Sequence, residues 1–524
     1  MTARRAAFVA GLLAVAVAVP SIRNGFVADD RWVIAERPLL QHPPSLSAVL
    51  QEPYWPAGFG GALWRPIVLA SYALDYRLSG SPHWFHAANV LWAGLAAALL
   101  TLLACRLSDP VTGLVTGLLF AVHPVHVEAV ANVVGRAELM AAAGYATALL
   151  CALEVDRRPV YAIGVFLGAA FAIGCKELAA TLPAAVILIY VGRGSGVRAA
   201  LRPAAAALLP ILGYYVVHEW VGAGILSAGG TAAGLERLGV VQRTWAMVAL
   251  SVEWWRLLLW PAHLSADYSP GDLVPSTGLT AAHLAGVLVW AGAGWAAWRW
   301  RKTVPGIAIG LVWLIVTVSP VANIVVPTEL LVAERTLYLP SFGIVFALAS
   351  VGTSLAISWP RRRPALLAIG LVVLVAGAAR SVARVSVWHD DETHFQALKR
   401  DAPHSYRTLW MVAKDQFQAG RWGSGERLLR EAIALAPAIA GPRLDLARFY
   451  LDAKLYRPAA EQLALATAVD SAFVPAWILL PQALLAAGDT AGARAAAREA
   501  LRLFPDEPDV VASAGAVLAA AVRR

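Results

Sequence analysis

Charged residues are scarce in this chain, and cysteine is nearly absent. Only 15% of its 524 residues are charged, whereas soluble domains carry about 25%. Since 59% of the residues are hydrophobic, this scarcity excludes a soluble domain and indicates an integral membrane protein. The three cysteines, Cys105, Cys151 and Cys175, lie in or beside apolar segments and lack metal-ligand spacing, so neither a disulfide framework nor a cysteine metal site is expected.

A basic stripe with interleaved aromatic residues is also lacking, although the net charge is +9. Residues 1–384 contain 27 Lys or Arg against 18 Asp or Glu, and residues 385–524 contain 16 of each. The excess positive charge therefore belongs to the apolar part of the chain. There it reports membrane topology, and no nucleic-acid partner is expected.

The apolar part predicts an all-α, polytopic membrane domain over residues 1–384. A membrane-spanning helix needs about 20 apolar residues. Eleven segments are interpreted as spans: 6–22, 84–104, 110–122, 139–155, 159–175, 178–192, 203–217, 280–298, 304–323, 336–357 and 364–383. The first segment could instead be a cleaved signal peptide, but the topology described below needs it to stay.

Two further apolar stretches are interpreted as helices that do not cross the membrane. The Trp-rich stretch 243–262 contains Arg243, Glu253 and Arg256, and charges at the bilayer centre cost several kcal/mol. It is expected to be interfacial or re-entrant. The stretch 64–78 is expected to lie along the surface within a first external loop of residues 23–83.

The positive-inside rule assigns the basic clusters to cytoplasmic loops. These clusters are Arg4 with Arg5, Arg106, Arg157 with Arg158, Arg193 with Arg198 and Arg202, Arg299 with Arg301 and Lys302, and Arg361 to Arg363. The polar motifs then share the opposite face: Asp29 with Asp30, the segment 123–138, Lys176 with Glu177, Asp267, and Glu334 with Arg335. Carboxylates, imidazoles and cations gathered at one lipid interface indicate an enzyme that acts on a membrane-borne substrate.

The C-terminal part is repetitive with a period of 34 residues, which is typical of tetratricopeptide repeats. Three sets of positions show the period: Gly420, Lys454 and Gly488; Ala432, Ala466 and Ala500; Pro437, Ser471 and Pro505. The spacing predicts a linker at 385–402 and an α-solenoid at 403–524, with helix pairs at 403–437, 438–471 and 472–505 and a capping helix at 507–522. Pro481 replaces an expected small residue, so its helix is expected to be kinked or short. A plain helical bundle is the alternative.

The adjacent carboxylates of Asp29 and Asp30 follow the first span directly. Mutual repulsion and desolvation raise the pKa of at least one of them, which suits a general base. The alternative is an ordinary hydrated loop.

The segment 123–138 carries two histidines, two glutamates and an arginine. His123 and His126 with Glu128 could hold a metal, but Pro124 breaks a helix there and no third ligand at fixed spacing is evident, so no metal site is assigned. Arg136, Lys176 and Arg335 could instead neutralise a phosphate. The alternative is that Arg136 with Glu138, and Lys176 with Glu177, are ion pairs that close the helix bundle.

Glu334 with Arg335 opens a span, where a charged pair needs a phosphate or an acidic partner. Asp267 could line a groove for a lipid or a sugar.

Six motifs, in this order along the chain, resemble the transmembrane and tetratricopeptide-repeat O-mannosyltransferases, a branch of the GT-C glycosyltransferases. They begin at Phe26 (FVADD), Trp84 (WFHAAN), His123 (HPVHVEAVANVVGRAEL), Cys175 (CKE), Leu264 (LSADYS) and Ala333 (AERTLYLP). Many relatives carry more repeats than the three found here, which leaves the choice of acceptor open.

The resemblance implies an inverting transfer of mannose or another hexose from a polyprenyl-phosphate-linked donor to a hydroxyl, most often of protein Ser or Thr. By analogy Asp29 is the base and Asp30 orients the acceptor or substitutes for Asp29. Arg136, Lys176 and Arg335 contact the phosphate, and His123, His126 and Glu138 shape the sugar pocket, with Glu128, Glu177, Glu334 and Asp267 beside them. No cofactor is assigned, and whether a divalent metal is needed stays open. The repeats would bind the acceptor outside the plasma membrane of a GC-rich bacterium, or in the endoplasmic reticulum lumen of a eukaryote.

The sequence leaves two kinds of rival function, a scaffold and a transporter or polymerase. A non-catalytic membrane scaffold would explain the repeats but gives no reason for Asp29, Asp30 or the segment 123–138. A transporter or a lipid-linked glycan polymerase would need polar residues deep in several spans, whereas here the charges gather at one rim.

Overall fold

The computed structural model describes residues 1–56, 63–220 and 230–523, and these ranges contain helices and no strand. Residues 57–62 of the expected first loop and Arg524 of the expected solenoid lie outside the described part. The helices of the first 385 residues are α1 Ala3–Ala18, α2 Pro38–Gln41, α3 Leu46–Gln51, α4 Pro66–Leu78, α5 Pro82–Leu107, α6 Pro110–Ala121, α7 Val127–Ala131, α8 Arg136–Ala152, α9 Tyr161–Cys175, α10 Leu182–Gly192, α11 Gly196–Trp220, α12 Val240–Leu259, α13 Ala281–Trp300, α14 Pro305–Val318, α15 Tyr338–Ser358 and α16 Arg363–Val385.

Each of the eleven segments interpreted as spans coincides with a helix of this set. Within the described residues, six helices are long and apolar enough to cross a membrane, or seven if the bent pair Pro110–Ala121 and Pro124–Ala131 is one span. The shorter apolar helices α9, α10 and α14 cover three more of the expected segments. The all-α membrane fold is confirmed, and the count of eleven spans stays a prediction.

Small residues let the helices of this bundle pack closely. The backbones of α1 and α5 approach at Gly11 and Gly94, where an added Cβ would lie 2.9 Å from the carbonyl oxygen of Gly94 or 2.6 Å from the side chain of Val15. The helix α8 is almost wholly buried and forms the centre of the largest apolar core, together with α5, α9 and α15. The bundle therefore gives the loops at its two ends a rigid base.

The two ends of the bundle carry different polar contacts. At one end Arg106 pairs with Glu154, and the Thr112 and Thr353 hydroxyls are 3.0 Å apart. At the other end the motif segments meet one another. The helix α12 contacts this second end with both of its own ends: Arg243 donates to the carbonyl of Ile324 at 3.3 Å, and the Leu258 carbonyl lies 3.0 Å from the ring of His123. These contacts support the expected interfacial placement of 243–262.

The repeat domain consists of three helix pairs and a cap, as the 34-residue period predicts. The pairs are α18 Tyr406–Gln418 with α19 Trp422–Leu435, α20 Ala440–Asp452 with α21 Tyr456–Val469, and α22 Val474–Ala486 with α23 Thr490–Leu503, followed by the cap α24 Pro508–Arg523. They follow α17, Asp391–Asp401, so the segment expected as a linker contains a helix of its own. Pro481 lies inside α22, which has 13 residues and is as long as α18 and α20, so the helix is not short and the expected kink stays a prediction.

The repeat domain begins at the end of the bundle that carries the motifs. The backbone N–H of Gly25 donates to the carbonyl of His389 at 2.8 Å, and Arg31 pairs with Asp391 at 2.8 Å. Further along, Tyr406 at the start of α18 donates its N–H to the carbonyl of Pro270 at 2.9 Å. The aspartate loop and the start of the solenoid are therefore on the same side of the bundle.

This common side predicts a labelling pattern for single cysteines in a chain whose three native cysteines are replaced by alanine. Cysteines at Glu36 and Arg421, both exposed, should react with a membrane-impermeant maleimide from the same side of sealed vesicles. A cysteine at the exposed Arg362 should react only after the vesicles are opened or inverted. Labelling of residues 36 and 421 from opposite sides would contradict the fold.

The turn between the two helices of each repeat predicts a stability difference. Gly420, Lys454 and Gly488 occupy equivalent positions with φ of +74°, +60° and +88°. A side chain in this left-handed region costs about 1–2 kcal/mol. Lys454→Gly should therefore stabilise the repeats by about 1 kcal/mol. Gly420→Ala should destabilise them by about the same amount through its positive φ alone, since the added Cβ meets open space and no clash adds to the cost. Hydrogen exchange of the repeat helices in the intact chain measures both effects.

Candidate active site

The turn that carries Asp29 is strained, and a residue from the start of the repeat domain stabilises it. Ala28 has φ of +51°, which is unusual for a residue with a side chain, and a single π-helical turn, Arg31–Ala35, follows. The N–H of Ala28 donates to Asp391 Oδ1 at 3.2 Å. Strained backbone persists where the surroundings over-determine it and clusters at functional sites. The start of the repeat domain therefore helps to fix the position of Asp29.

Asp30 faces the interior, although it neighbours Asp29. Its carboxylate is fully buried and accepts backbone N–H bonds from Val134 at 2.8 Å, Val133 at 3.1 Å and Val27 at 3.4 Å. Burial raises the pKa of Asp30 to about 7, and the three N–H donors oppose part of that rise. Asp30 thus ties the first loop to the segment that starts α8. These contacts favour a positioning role over contact with a substrate.

Asp29 has a different environment, because its side chain is 35% exposed and faces a cation. Arg335 Nη2 lies 3.8 Å from Asp29 Oδ2, a distance longer than a hydrogen bond. Glu128 fixes the other side of the guanidinium. Its Oε1 accepts a bond from Arg335 Nη1 at 2.8 Å, and its Oε2 accepts one from the backbone N–H of Arg335 at 2.9 Å. Asp29 therefore keeps lone pairs for a proton, beside an arginine whose position Glu128 determines.

Glu334 and Asp267 connect this pair to the Trp-rich helix and to the repeats. Glu334 is buried, and its Oε1 accepts bonds from the hydroxyl of Tyr268 and the N–H of Ser265, both at 2.7 Å. Asp267 lies 3.7 Å from Arg407 of α18, and its Oδ2 meets no hydrogen-bond partner in the described residues. A cavity lined by Asp267, Arg256 and Asp401 lies here, and its expected occupation by a lipid or a sugar stays a prediction.

One buried and one partly buried ion pair lie beneath the first loop. Lys176 contacts Glu138 directly, and Arg65 binds both oxygens of Glu177, with the closest approach at 2.8 Å. The pairing of Glu177 with Arg65 differs from the expected pair of Lys176 with Glu177. Its physical reason is that the segment before α4 folds back onto the connection between α9 and α10. The sequence interpretation did not single out Arg65.

Arg136 lies in the interior of the scaffold. It is 1% exposed and forms an ion pair with Asp75 of α4. Its other donors bind the Asn89 side chain at 2.8 Å, the Phe85 carbonyl at 2.9 Å and the Ser71 hydroxyl at 3.2 Å. With every guanidinium nitrogen engaged, this geometry gives no support to the expected phosphate contact. It supports the alternative in which Arg136 closes the bundle, with Asp75 rather than Glu138 as its partner.

His123 and His126 line a narrow apolar groove between α1, α5 and α16. The ring of His123 bonds the Leu258 carbonyl, and that of His126 lies 2.8 Å from the Ser341 hydroxyl, between the rings of Phe120 and Tyr338. Ala14, Ala18, Ala93, Ala97 and Val130 form much of the remaining wall. The two imidazoles and Glu128 serve different partners, and the described ranges bring no group of three or more potential metal ligands together.

The chain is similar to known proteins over most of its length, although no protein-family model matches it. It is 26% identical to protein O-mannosyl-transferase TMTC4 of Mus musculus over 79% of this chain and 64% of that protein. It is 25% identical to protein O-mannosyl-transferase Tmtc1 of Drosophila melanogaster over 83% of this chain and 62% of that protein. Over 129 residues it is 38% identical to TMTC1 of Mus musculus, which covers 23% of this chain and 14% of the relative. The family resemblance is confirmed.

The chain thus spans about three fifths of the length of the relatives that it matches over most of its own length. It combines apolar helices and helical repeats, as its apolar segments and its 34-residue period predict.

Three residues at the site, Arg65, Asp391 and Arg407, were missed from sequence, and so was Arg384, which lies outside the site. Arg384 and Asp401 form an ion pair at 2.6 Å where α16 ends. One signal could have identified Arg384, because the positive-inside rule leaves an arginine at the external end of the last span unexplained. The roles of Asp391 and Arg407 depend on how the repeats dock, which no local pattern reveals.

The different environments of Asp29 and Asp30 predict different effects of the same substitution. Asn offers one oxygen where Asp30 uses two, so its amide would face the N–H of Val133 or Val134. Asp30→Asn should destabilise the protein by about 2 kcal/mol, and Asp29→Asn should change its stability by less than about 0.5 kcal/mol. Thermal unfolding in detergent compares the two. An Asp30→Asn protein with unchanged stability and no activity would instead assign Asp30 to the chemistry.

Proposed function

We propose that this chain is a membrane glycosyltransferase. It transfers a hexose, mannose in the first instance, from a polyprenyl-phosphate-linked donor to Ser or Thr hydroxyls of proteins at the extracytoplasmic face. The names of its relatives, protein O-mannosyl-transferases, support the reaction class. The observation that carries the proposal is the pairing of the half-exposed Asp29 with Arg335 at the point where the motif segments meet.

The reaction needs one base and one countercharge. The acceptor oxygen attacks the anomeric carbon, its proton passes to Asp29, and the bond from that carbon to the phosphate oxygen breaks with inversion. The phosphate departs with the electron pair and needs no acid, because it is already a good leaving group. In this proposal Arg335 holds the charge of the phosphate, and a positioned base contributes about 10²- to 10⁴-fold in rate.

The remaining expected residues serve this pair. Glu128 orients Arg335 through two bonds, and Asp30 orients the turn. Lys176, held by Glu138, is a second cation near Arg335. In this proposal the polyprenyl chain enters sideways from the membrane, towards the apolar groove that His123 and His126 line.

The repeats are proposed to deliver the acceptor. Their first helix docks directly on the site through the Pro270 carbonyl and through Asp267 with Arg407. Tetratricopeptide arrays present concave surfaces to extended partners. An unfolded Ser- or Thr-containing segment held there would reach the external rim of the bundle.

Asp29→Asn tests the proposal. It keeps the size and the turn but removes the base, so transfer should fall at least about 100-fold. Glycoproteomics of cells with the active chain, with the variant and without the chain would name the sugar and the acceptor together.

Glu36→Gln is the matched control, because Glu36 lies in the same loop, is exposed and pairs only with Arg31 among the described residues. It should leave glycosylation intact. If Asp29→Asn folds and binds its partners, and glycosylation is the same in cells with the active chain, with the variant and without the chain, the scaffold function replaces the enzymatic one.

A further inference from the structure

A polar cleft separates the external end of α16 from the connection between α12 and α13. One part of it has a volume of about 310 Å³, and its lining includes Arg380, Arg384, Arg400 and Asp401. Neither the base nor the cations assigned to the transfer reaction belong to this lining. The cleft therefore needs an explanation of its own.

Arg384 is the unusual member of the lining. It is 2% exposed, and its Nη1 donates to Asp401 Oδ2 at 2.6 Å. Its Nε and Nη2 meet no hydrogen-bond partner in the described part of the chain. Buried donors are nearly always paired, and a buried cation with free donors is costly. Two adjacent free N–H groups of one guanidinium match two oxygens of a phosphate.

The charges around Arg384 leave room for one negative charge. Three guanidinium groups line this part of the cleft, those of Arg380, Arg384 and Arg400. Arg384 and Arg400 share the carboxylate of Asp401, while the Nε of Arg380 donates only to the Ala262 carbonyl at 3.1 Å.

The carboxylate of Glu334 also interacts electrostatically with Arg380 and Arg384, and its Oε1 already accepts two bonds. With both carboxylates ionised, one positive charge remains. A phosphodiester carries one negative charge.

The helix below the cleft indicates where such a phosphodiester comes from. In the described structure only 6% of the most apolar 18-residue stretch of the span Pro360–Trp388 is buried. Its apolar side chains are bare, among them Leu371, Val375 and Val382, and Val382 lies between Arg380 and Arg384. An acyl chain can therefore lie along α16 while its headgroup reaches the arginines.

We propose that the cleft binds the headgroup phosphate of an anionic phospholipid, through Arg384 with help from Arg380 and Arg400. The lipid would brace the junction between α16 and α17 and thereby the start of the repeat domain. This site is separate from the sugar donor and requires no transferase activity.

Native mass spectrometry of the detergent-purified full chain, titrated with phosphatidylglycerol and then with phosphatidylcholine, tests the proposal. No donor or acceptor is present, so the outcome is independent of the proposed function. Phosphatidylglycerol should bind in preference. Arg380→Gln should weaken it about 5-fold and Arg384→Gln about 10-fold, the size expected for losing one arginine near an anionic headgroup.

Arg363→Gln is the matched control at the opposite, exposed end of α16 and should leave the affinity unchanged. Arg380→Gln removes one bond to a carbonyl and leaves Arg384 with Asp401 intact, so it reports on binding even if Arg384→Gln fails to fold. Equal affinity in Arg380→Gln and Arg363→Gln would overturn the proposal. So would displacement of the lipid by millimolar inorganic phosphate, since the cleft would then bind the free anion.

Discussion

The buried carboxylate of Asp30 is the contact on which the site depends. It joins the first loop to a segment more than 100 residues later in the chain, through the N–H groups of Val133 and Val134. A hydrogen bond to a charged group contributes about 1.5–3 kcal/mol, which is enough to hold a short strained turn. Because Asp30 is held in this way, its neighbour Asp29 is left at the surface facing Arg335. Two adjacent, chemically identical residues thus acquire different roles from their surroundings alone.

The rest of the site is built from buried charges that are individually balanced. Arg136 with Asp75, Lys176 with Glu138, and Arg65 with Glu177 lie close beneath the loop. Buried pairs of this kind add little net stability, but removal of one partner costs about 3–5 kcal/mol. They therefore fix the geometry of the loop. Arg335 differs from the other cations because one side of its guanidinium is only loosely occupied.

Features with a strong period or composition could be predicted from sequence. The eleven apolar segments are helices, the 34-residue repeats are helix pairs, and the motif segments gather at one end. The division between Asp29 and Asp30 could not be predicted, because it depends on which distant N–H groups lie opposite. The partner of Arg136 was missed for the same reason. Asp75 belongs to the helix α4, and no local sequence pattern shows that this helix docks on the bundle. The helix α17 was not predicted because its many charged residues are also typical of a linker.

The junction between the site and the solenoid also constrains how this architecture can vary. Among the described residues, the polar contacts between the array and the bundle lie in the first helix of the array and the segment before it, at Tyr406, Arg407 and Asp391 among others, while Ala432 of α19 shares an apolar cluster with Ala233. Additional helix pairs inserted between α23 and α24 would leave these contacts unchanged. The proposed catalytic residues of the bundle and the proposed acceptor-binding surface of the repeats can therefore diverge separately. The same membrane domain can thus be combined with repeat arrays of different lengths.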